Sequence, residues 1–432
     1  MSKMMSEDFL QFIWKFQLFD RHNFVCTTGE TVEVLHPGSL NSDAGPDFFN
    51  AKLQIDGQTW AGNVEIHQNT SDWIKHNHHA DKAYDSVVIH VVANHDGTDV
   101  CRTNGTPVKC AVLHYDKGLE SRYCEIVNSV DWIPCERYIR DVDDFFIKHF
   151  LERLLIERLG KRVDAVEHEL RRTLKSWEEV FYIFLLRNFG FSINALPFEL
   201  LAKVLPYNIV LKHRNNKLQI EALLFGQAGF LSNVENDEYT TALKREYSFL
   251  ADKYKLKALD LSLWKFLRTR PQNFPTIRIA QLADLLHKHA SIFSKVVSCN
   301  SFVEFCDLFS GITLSPYWEN HFVFGKQALS QKKNLGYSAL SLLGINLFVP
   351  FVFAYGHLND MPQLKEKALD MLESTPPDKN RVIEKWKILG IPVGSAFYTQ
   401  ALLHLKRDYC DERRCLSCSI GKKIVEGGVS IR

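Results

Sequence analysis

The sequence predicts two parts of different architecture: an α/β domain at the N-terminus, followed by a mostly α-helical domain. Up to about residue 115, short runs rich in β-branched residues alternate with turn residues, and 86–93 (SVVIHVVA) is the clearest such run. From about residue 145, apolar residues recur three and four positions apart among charged ones, as on amphipathic helices. Because the composition changes near 136–145, we predict an α/β domain at 1–140, a helical domain at 141–408 and a cysteine-rich tail at 409–432.

The elements of the first part follow from local patterns. A serine, early acids and apolar residues at helical spacing predict a helix at the N-terminus, and Asp56-Gly57 is a hairpin turn signal between two strand-like runs. A continuous β-branched run is typical of a strand buried on both faces. The predicted order is a helix at 6–19, strands at 31–35, 48–55 and 58–68, a helix or helix-bearing loop at 71–84, and strands at 86–93 and 108–114.

The second part contains little that resembles a strand. Its apolar residues follow the period of a helix throughout, with charges on the remaining positions. The predicted helices are 145–175, 177–189, 195–204, 239–256, 276–290, 335–355, 361–373 and 394–407.

Composition narrows the class of protein. Residues 1–140 hold 12 basic and 19 acidic residues and nine of the 17 histidines, whereas the remainder holds 40 basic and 32 acidic residues. An acidic, histidine-rich part suits metal binding, and a basic part suits a polyanion. The N-terminus lacks the apolar region of a signal peptide, so we expect a cytoplasmic protein. No P-loop, G-x-G-x-x-G or G-x-S-x-G motif is present, which argues against kinases, NTPases, Rossmann dehydrogenases and ordinary α/β-hydrolases.

One uncharged segment, 334–355, is long enough to cross a bilayer. It contains Ser338, Ser341, Asn346 and, near its end, Pro350. This pattern predicts a buried core helix and no membrane partner.

Two acids and a histidine meet across the predicted hairpin. Glu65 and His67 alternate on one strand and therefore share a face, and pairing through a turn at 56–57 places Asp47 opposite about residue 66. Two neighbouring carboxylates stay ionised easily only with a cation between them. The sequence therefore predicts Mg²⁺ or Mn²⁺ held by Asp47 and Glu65, with the metal lowering the pKa of a bound water.

This pattern resembles the PD-(D/E)xK nuclease superfamily, which has a restriction-endonuclease-like mixed sheet. The resemblance rests on Pro46-Asp47, then Glu65-x-His67 after a hairpin, with a helix before and a helix plus strand after. It implies that Asp47 and Glu65 bind metal. His67 stands where the family has a lysine that positions or deprotonates the attacking water, and it is the residue expected to do so here. The implied reaction is metal-dependent hydrolysis of phosphodiester bonds in nucleic acid.

The histidines suggest a second, alternative kind of metal site. His76 and His79 are three apart in the predicted helical segment, and His67 and His90 lie on strands that could be adjacent. Two or three histidines with Glu65 or Asp81 would suit Zn²⁺ or Mn²⁺ in a hydrolase of small molecules. We include His76 among the candidate ligands. In contrast, His78 fits an exposed loop, and His90 fits a buried core position.

The C-terminal tail carries a further candidate metal site. Cys410, Cys415 and Cys418 follow a C-x4-C-x2-C spacing, and thiolates so spaced can bind Zn²⁺ or an iron–sulfur cluster. A fourth ligand must come from elsewhere, with His404, Cys135, Cys124 and Cys26 as the options. The pattern resembles the iron–sulfur sites of some nucleases and glycosylases.

The sequence therefore favours a metal-dependent nuclease, with two alternatives. One is a non-catalytic module on a decayed nuclease fold that binds nucleic acid or protein, and the other is the histidine-based hydrolase. Arg268, Arg270 and Arg278 beside Phe274 could contact a phosphate backbone, although the same loop also reads as the entry to a helix. The GNVEIH, DWxxH and terminal cysteine signatures also resemble an uncharacterised bacterial family of unknown function, which implies no activity.

Overall fold

The computed structural model describes residues 6–41, 43–235 and 237–427, and the chain divides into two compact units. Unit 1 comprises the chain up to Ile147 together with the chain from Lys406 onward, and unit 2 comprises Lys148–Leu405. The tail, which the sequence suggested as a separate segment, thus folds with the α/β part.

Unit 1 is built on a mixed six-stranded sheet, as the α/β prediction requires. Along its main path the strand order is β1-β3-β4-β5-β6, and β2 pairs with β3. The β1–β3 and β3–β4 pairs are antiparallel, and the β4–β5 and β5–β6 pairs are parallel. The strands are β1 Val32–His36, β2 Ser39–Leu40, β3 Phe48–Ile55, β4 Gln58–Asn69, β5 Val87–Asn94 and β6 Lys109–Val112.

The hairpin register matches the prediction near the turn and then shifts. Ile55 pairs with Gln58, whereas Phe48 pairs with Val64 after a bulge between Phe48 and Ala51. Asn50 lies in this bulge with a left-handed φ of 57°. The extra residue moves Asp47 one position along β4, so that it lies opposite Glu65 instead of residue 66.

The helices of unit 1 cover the sheet and carry the tail. The first helix buries Phe9, Ile13 and Trp14 and packs against β4, and a single helical turn after β4 packs against the same strand. The last helix packs against the helix of Lys117–Asn128. These helices are α1 Glu7–Lys15, α2 Asp72–Lys75, α3 Lys117–Asn128 and α18 Ser419–Val425, with 3₁₀ turns at His78–Ala80, Lys82–Tyr84, Ile139–Asp141 and Cys415–Ser417.

Unit 2 is helical apart from one small hairpin of β7 His321–Val323 and β8 Lys326–Gln327. The long helix α4 begins in unit 1 and continues into unit 2. The helices are α4 Asp144–Arg172, α5 Trp177–Phe189, α6 Ala195–Val204, α7 Tyr207–Lys212, α8 Lys217–Gln227, α9 Glu238–Tyr254, α10 Pro275–Lys288, α11 Ile292–Ser298, α12 Phe302–Ser310, α13 Tyr337–Leu343, α14 Val349–Leu358, α15 Pro362–Ser374, α16 Arg381–Ile388 and α17 Ala396–Leu405.

The uncharged segment forms one continuous helical stretch, Tyr337–Leu358. By length and composition it could cross a membrane, and 72% of its most apolar window is buried inside the protein. A π-helical turn at Gly344–Phe348 joins α13 to α14, and Pro350 lies in the first turn of α14.

Candidate metal centre

Glu65 and His67 point to the same buried face of β4. Residues two apart on a strand share a face, and both side chains are almost completely buried. On the neighbouring strand β5, His90 pairs with Glu65 in parallel register and therefore points the same way. Nδ1 of His67 lies 2.8 Å from Nε2 of His90.

The segment after β4 brings two further histidines over this face. The one-turn helix α2 ends at Lys75, and Trp73 anchors it by its burial and by donating its indole N–H to the Cys101 carbonyl at 3.1 Å. Asn77 then adopts a left-handed conformation with φ 63°. Because this conformation reverses the local chain direction, His76 and His78 on either side of it both reach the β4 face.

Three imidazoles converge at this point. One ring nitrogen each of His67, His76 and His78 lies within 4.8 Å of the others. Nε2 of His67 is 3.0 Å from Nδ1 of His76. Oε1 of Glu65 lies 3.4 Å from Nε2 of His67 and 3.2 Å from Nε2 of His78. We call this set, Glu65 with His67, His76 and His78, the histidine cluster.

These distances suit a single ion. A tetrahedral Zn²⁺ at about 2.0–2.1 Å from nitrogen ligands separates its donor atoms by about 3.3 Å. The donor atoms of the cluster lie 3.0, 3.2 and 3.4 Å apart in the three closest pairs. His67 and His78 are buried whereas His76 is exposed, so the cluster opens to solvent on the His76 side. Three imidazoles suit Zn²⁺ or Mn²⁺ better than Mg²⁺, which prefers oxygen ligands.

The buried rings of His67 and His78 resist protonation, and a histidine must be neutral to bind a metal. Burial and, after it, the neighbouring His90, His78 and His76 together lower the pKa of His67 to about 2. Burial also lowers the pKa of His78, and lowers that of His90 to about 3. A ring so resistant to protonation is a poor general base, but its lone pair is available to a cation.

Two ring nitrogens of the cluster, Nε2 of His78 and Nε2 of His67, can offer a lone pair to a cation. Nε2 of His78 is buried and makes no hydrogen bond, which is costly for a polar atom. For His67, Nδ1–H can donate to Nε2 of His90, which leaves the Nε2 lone pair of His67 directed at the cluster. A second residue that fixes the tautomer in this way is typical of metal-bound histidines.

Asp47 and Glu65 hold each other in place through backbone groups. The backbone N–H of Asp47 donates to Oε2 of Glu65 at 3.0 Å, and the N–H of Ile66 donates to Oδ2 of Asp47 at 2.9 Å. Oδ1 of Asp47 accepts from the Gln11 amide at 2.9 Å, so only Oε1 of Glu65 is directed at the histidines. Burial raises the pKa of both carboxyls, and the charge of Glu65 raises that of Asp47 further.

A third carboxyl, Glu7 at the start of α1, faces the same cluster. It interacts electrostatically with His76 and His78, and its charge raises the pKa of Asp47 and Glu65. Over the part of the chain that the structure describes, none of these three carboxyls forms an ion pair with a lysine or arginine. The site therefore combines acids with two buried imidazoles that resist protonation, which favours a cation.

The structure brings together Asp47, Glu65, His67 and His76 from the sequence analysis and adds Glu7 and His78. The expected pairing of His76 with His79 on a helix is wrong, because α2 ends at Lys75 and His79 lies outside the converging triple. Asp81 is not in the cluster and instead caps a 3₁₀ turn by accepting from the Ala83 N–H. No periodicity identifies His78, since a single left-handed residue turns it inward.

His90 provides a test of the ring arrangement. Replacing His90 with leucine removes the acceptor for the His67 Nδ1–H, and we expect metal affinity to fall by about 10–100-fold. His90→Gln keeps an acceptor oxygen and should recover part of the loss. Isothermal titration with Zn²⁺ measures both variants, and equal affinity for wild type and His90→Leu would contradict this role.

The tail cysteines Cys410, Cys415 and Cys418 lie in unit 1, where Cys135 is close enough to interact electrostatically with all three. Within the described residues, no three of these sulfurs come within 4.8 Å of one another. Of the other candidate fourth ligands, His404 lies in unit 2, whereas the charged neighbours of Cys26 and Cys124 include Glu30 and Glu120 respectively.

The loop that carries Arg268 and Arg270 lies in unit 2 and leads into α10, so it is the helix entry that the sequence offered as the alternative to a phosphate-contacting loop. Arg278 is buried, with its guanidinium donating to Gln281 and Asn273 and lying 4.5 Å from the Phe191 ring. It borders a cavity of about 580 Å³ that Arg268 and Arg270 also line. Burial lowers the pKa of Arg278 to about 10, so it remains a cation at neutral pH.

Comparison with known proteins assigns a family without an activity. Residues 7–381 match the profile of a family described as protein of unknown function (DUF2851). No curated protein and no solved structure matches the chain significantly. The match spans most of the chain and confirms the resemblance to a family of unknown function: this protein belongs to the DUF2851 family.

Proposed function

We propose that this protein is a metal-dependent hydrolase whose ion is held by His67, His76 and His78. The observation that carries the proposal is the convergence of three imidazoles with Oε1 of Glu65, where no lysine or arginine among the described residues pairs with the carboxyls. Three protein ligands leave a coordination position for water, as in catalytic zinc sites. Zn²⁺ or Mn²⁺ fits this donor set, and its chemistry there is to lower the pKa of the bound water.

Glu65 takes the role of general base in this proposal. Its Oε1 lies 3.4 Å from Nε2 of His67 and 3.2 Å from Nε2 of His78, so it can accept a proton from a water held beside them. A pKa raised by burial brings a carboxylate closer to the value that suits a base at neutral pH. Asp47 positions Glu65 through its backbone N–H, and His67 serves as a ligand in place of the lysine of the nuclease pattern.

We propose phosphodiester bonds in nucleic acid as the substrate. In support, the helix before the hairpin, the hairpin itself, and the helical turn and parallel strand after it are all present in unit 1, as a restriction-endonuclease-like domain requires. The arginine-lined cavity in unit 2 is a second feature that suits a polyanion.

A second candidate is a hydrolase of small phosphodiesters or other small molecules. The donor set favours it, because imidazoles rather than paired acids dominate the cluster. A third outcome, a nucleic-acid-binding module without turnover, fits the replacement of the family's lysine by His67.

Hydrolysis assays separate these functions. Metal-stripped protein would be reloaded with Zn²⁺, Mn²⁺ or Mg²⁺ and incubated with labelled single- and double-stranded DNA and RNA, and with bis-p-nitrophenyl phosphate. We expect cleavage of a nucleic acid that depends on Zn²⁺ or Mn²⁺ and is lost in His76→Ala but kept in His79→Ala, its neighbour outside the cluster. Cleavage of only the small ester would favour the second candidate. Binding without cleavage under every metal would overturn the proposed activity.

A further inference from the structure

Four cysteines from distant parts of the chain meet in unit 1. Cys410 ends a π-helical turn at Lys406–Cys410, Cys415 begins a 3₁₀ turn, and Cys418 immediately precedes α18. Cys135 lies between α3 and α4 in a turn where the Tyr138 N–H donates to its carbonyl at 3.0 Å. Each thiol is thus presented by a turn whose backbone bonds fix its direction.

The tail is held against the segment that carries Cys135. Arg122 donates through Nε to the Val425 carbonyl at 2.7 Å, and Arg413 donates to the Val127 carbonyl. The ammonium of Lys406 lies 5.3 Å from the centre of the Trp132 ring. Because these contacts involve residues before, between and after the three tail cysteines, they hold the tail in a fixed position beside the segment of Cys135.

The four thiols form one buried, mutually interacting group. Cys135, Cys415 and Cys418 are each more than nine-tenths buried. Burial raises the pKa of Cys135 and Cys410 well above the usual value and that of Cys415 to about 12. Electrostatic interaction with other cysteines of the group also raises these pKa values, and each of the four thiols interacts in this way with the other three. Thiols in such a group become thiolates only when a metal supplies positive charge.

The spacing of the sulfurs discriminates between metals. A tetrahedral zinc with bonds of about 2.3 Å brings its sulfur ligands within about 3.8 Å of one another. Among the described residues, no three sulfurs of this group lie within even 4.8 Å. A cluster of several iron atoms spans a wider set, because each cysteine binds a different corner.

We propose that Cys135, Cys410, Cys415 and Cys418 hold a [4Fe–4S] cluster that fastens the C-terminal tail to unit 1. Transfer of a preformed cluster from a thiol-bearing carrier exchanges ligands: four iron–sulfur bonds to these cysteines form, and the bonds from the irons to the carrier thiolates break. Each of the four thiols gives up one proton to a released carrier thiolate, without a change of oxidation state. Lys406 and Arg413 offset the negative charge of the four thiolates, since they act electrostatically on Cys410 and Cys415. The proposal is independent of the histidine cluster.

The test is the iron and acid-labile sulfide content of full-length protein purified without oxygen or reconstituted with ferrous iron and sulfide. We expect about four of each per chain, with visible absorption that bleaches on reduction by dithionite. Cys135→Ser should lose most of the iron, whereas Cys124→Ser should retain it, because Cys124 lies on α3, where burial and the charge of Glu120 raise its pKa.

Two outcomes would overturn the proposal. One is zinc at one atom per chain without labile sulfide in the wild-type protein. The other is full iron content in Cys135→Ser. Circular dichroism shows whether Cys135→Ser folds. If it does not fold, the iron, zinc and sulfide content of the wild-type protein still tests the proposal.

Discussion

Glu65→Gln is expected to lower turnover by about 100- to 10,000-fold while the protein keeps its metal. Glutamine preserves an oxygen that can accept from the Asp47 N–H, so the hairpin geometry is retained, but it cannot take a proton from water. The three imidazoles remain to hold the ion. Turnover and metal content measured on the same preparation give both quantities.

Glu33→Gln is the matched control, because Glu33 is an exposed acid on β1 of the same sheet. It should leave both turnover and metal content unchanged. If Glu65→Gln loses its metal together with its activity, Glu65 is a ligand and not the base. Unchanged turnover in Glu65→Gln would remove Glu65 from the mechanism altogether.

His78→Ala is expected to lower Zn²⁺ affinity by more than about 100-fold, exceeding the 10–100-fold that loss of a supporting residue causes. The wild-type His78 ring is buried and its Nε2 makes no hydrogen bond, so its removal costs the metal-free protein mainly packing: the ring stacks on Tyr84 with 3.7 Å between the ring centres. The contact of Nε2 with Oε1 of Glu65 at 3.2 Å is lost as well. The change should therefore weaken metal binding far more than it lowers the thermal midpoint of the metal-free protein.

His79→Ala separates this effect from a general disturbance of the turn, because His79 is adjacent in sequence but outside the converging triple. Competition with a zinc-sensitive dye measures both variants, and thermal unfolding without metal monitors the fold. Equal zinc affinity in His78→Ala and His79→Ala would show that the third imidazole is not a ligand.

The sequence predicts the geometry of the β3–β4 hairpin well because strand alternation and turn chemistry are local. Glu65 and His67 share a face by the two-residue period, and Asp56-Gly57 sets where the chain folds back. The prediction places Asp47 one residue away from its actual partner, since a bulge next to Phe48 shifts the register. The left-handed Asn50 in that bulge follows no periodic pattern.

The remaining site residues depend on features that periodicity does not encode. His78 reaches the cluster because Asn77 adopts a left-handed conformation, and Glu7 reaches it because α1 packs on β4. Cys135 joins the tail cysteines through contacts between residues far apart in sequence, such as Arg122 with the Val425 carbonyl. Composition alone identifies the acidic, histidine-rich part, but only packing shows which of its histidines meet.

The most direct test of the histidine cluster is an anomalous difference map, recorded at the zinc absorption edge, from crystals of the full chain equilibrated with Zn²⁺. The proposal predicts a peak about 2.0–2.1 Å from a ring nitrogen of each of His67, His76 and His78, with a water between the ion and Glu65. A map with no peak among these three rings, at a zinc concentration that occupies other sites, would contradict the metal centre and the hydrolase proposed from it.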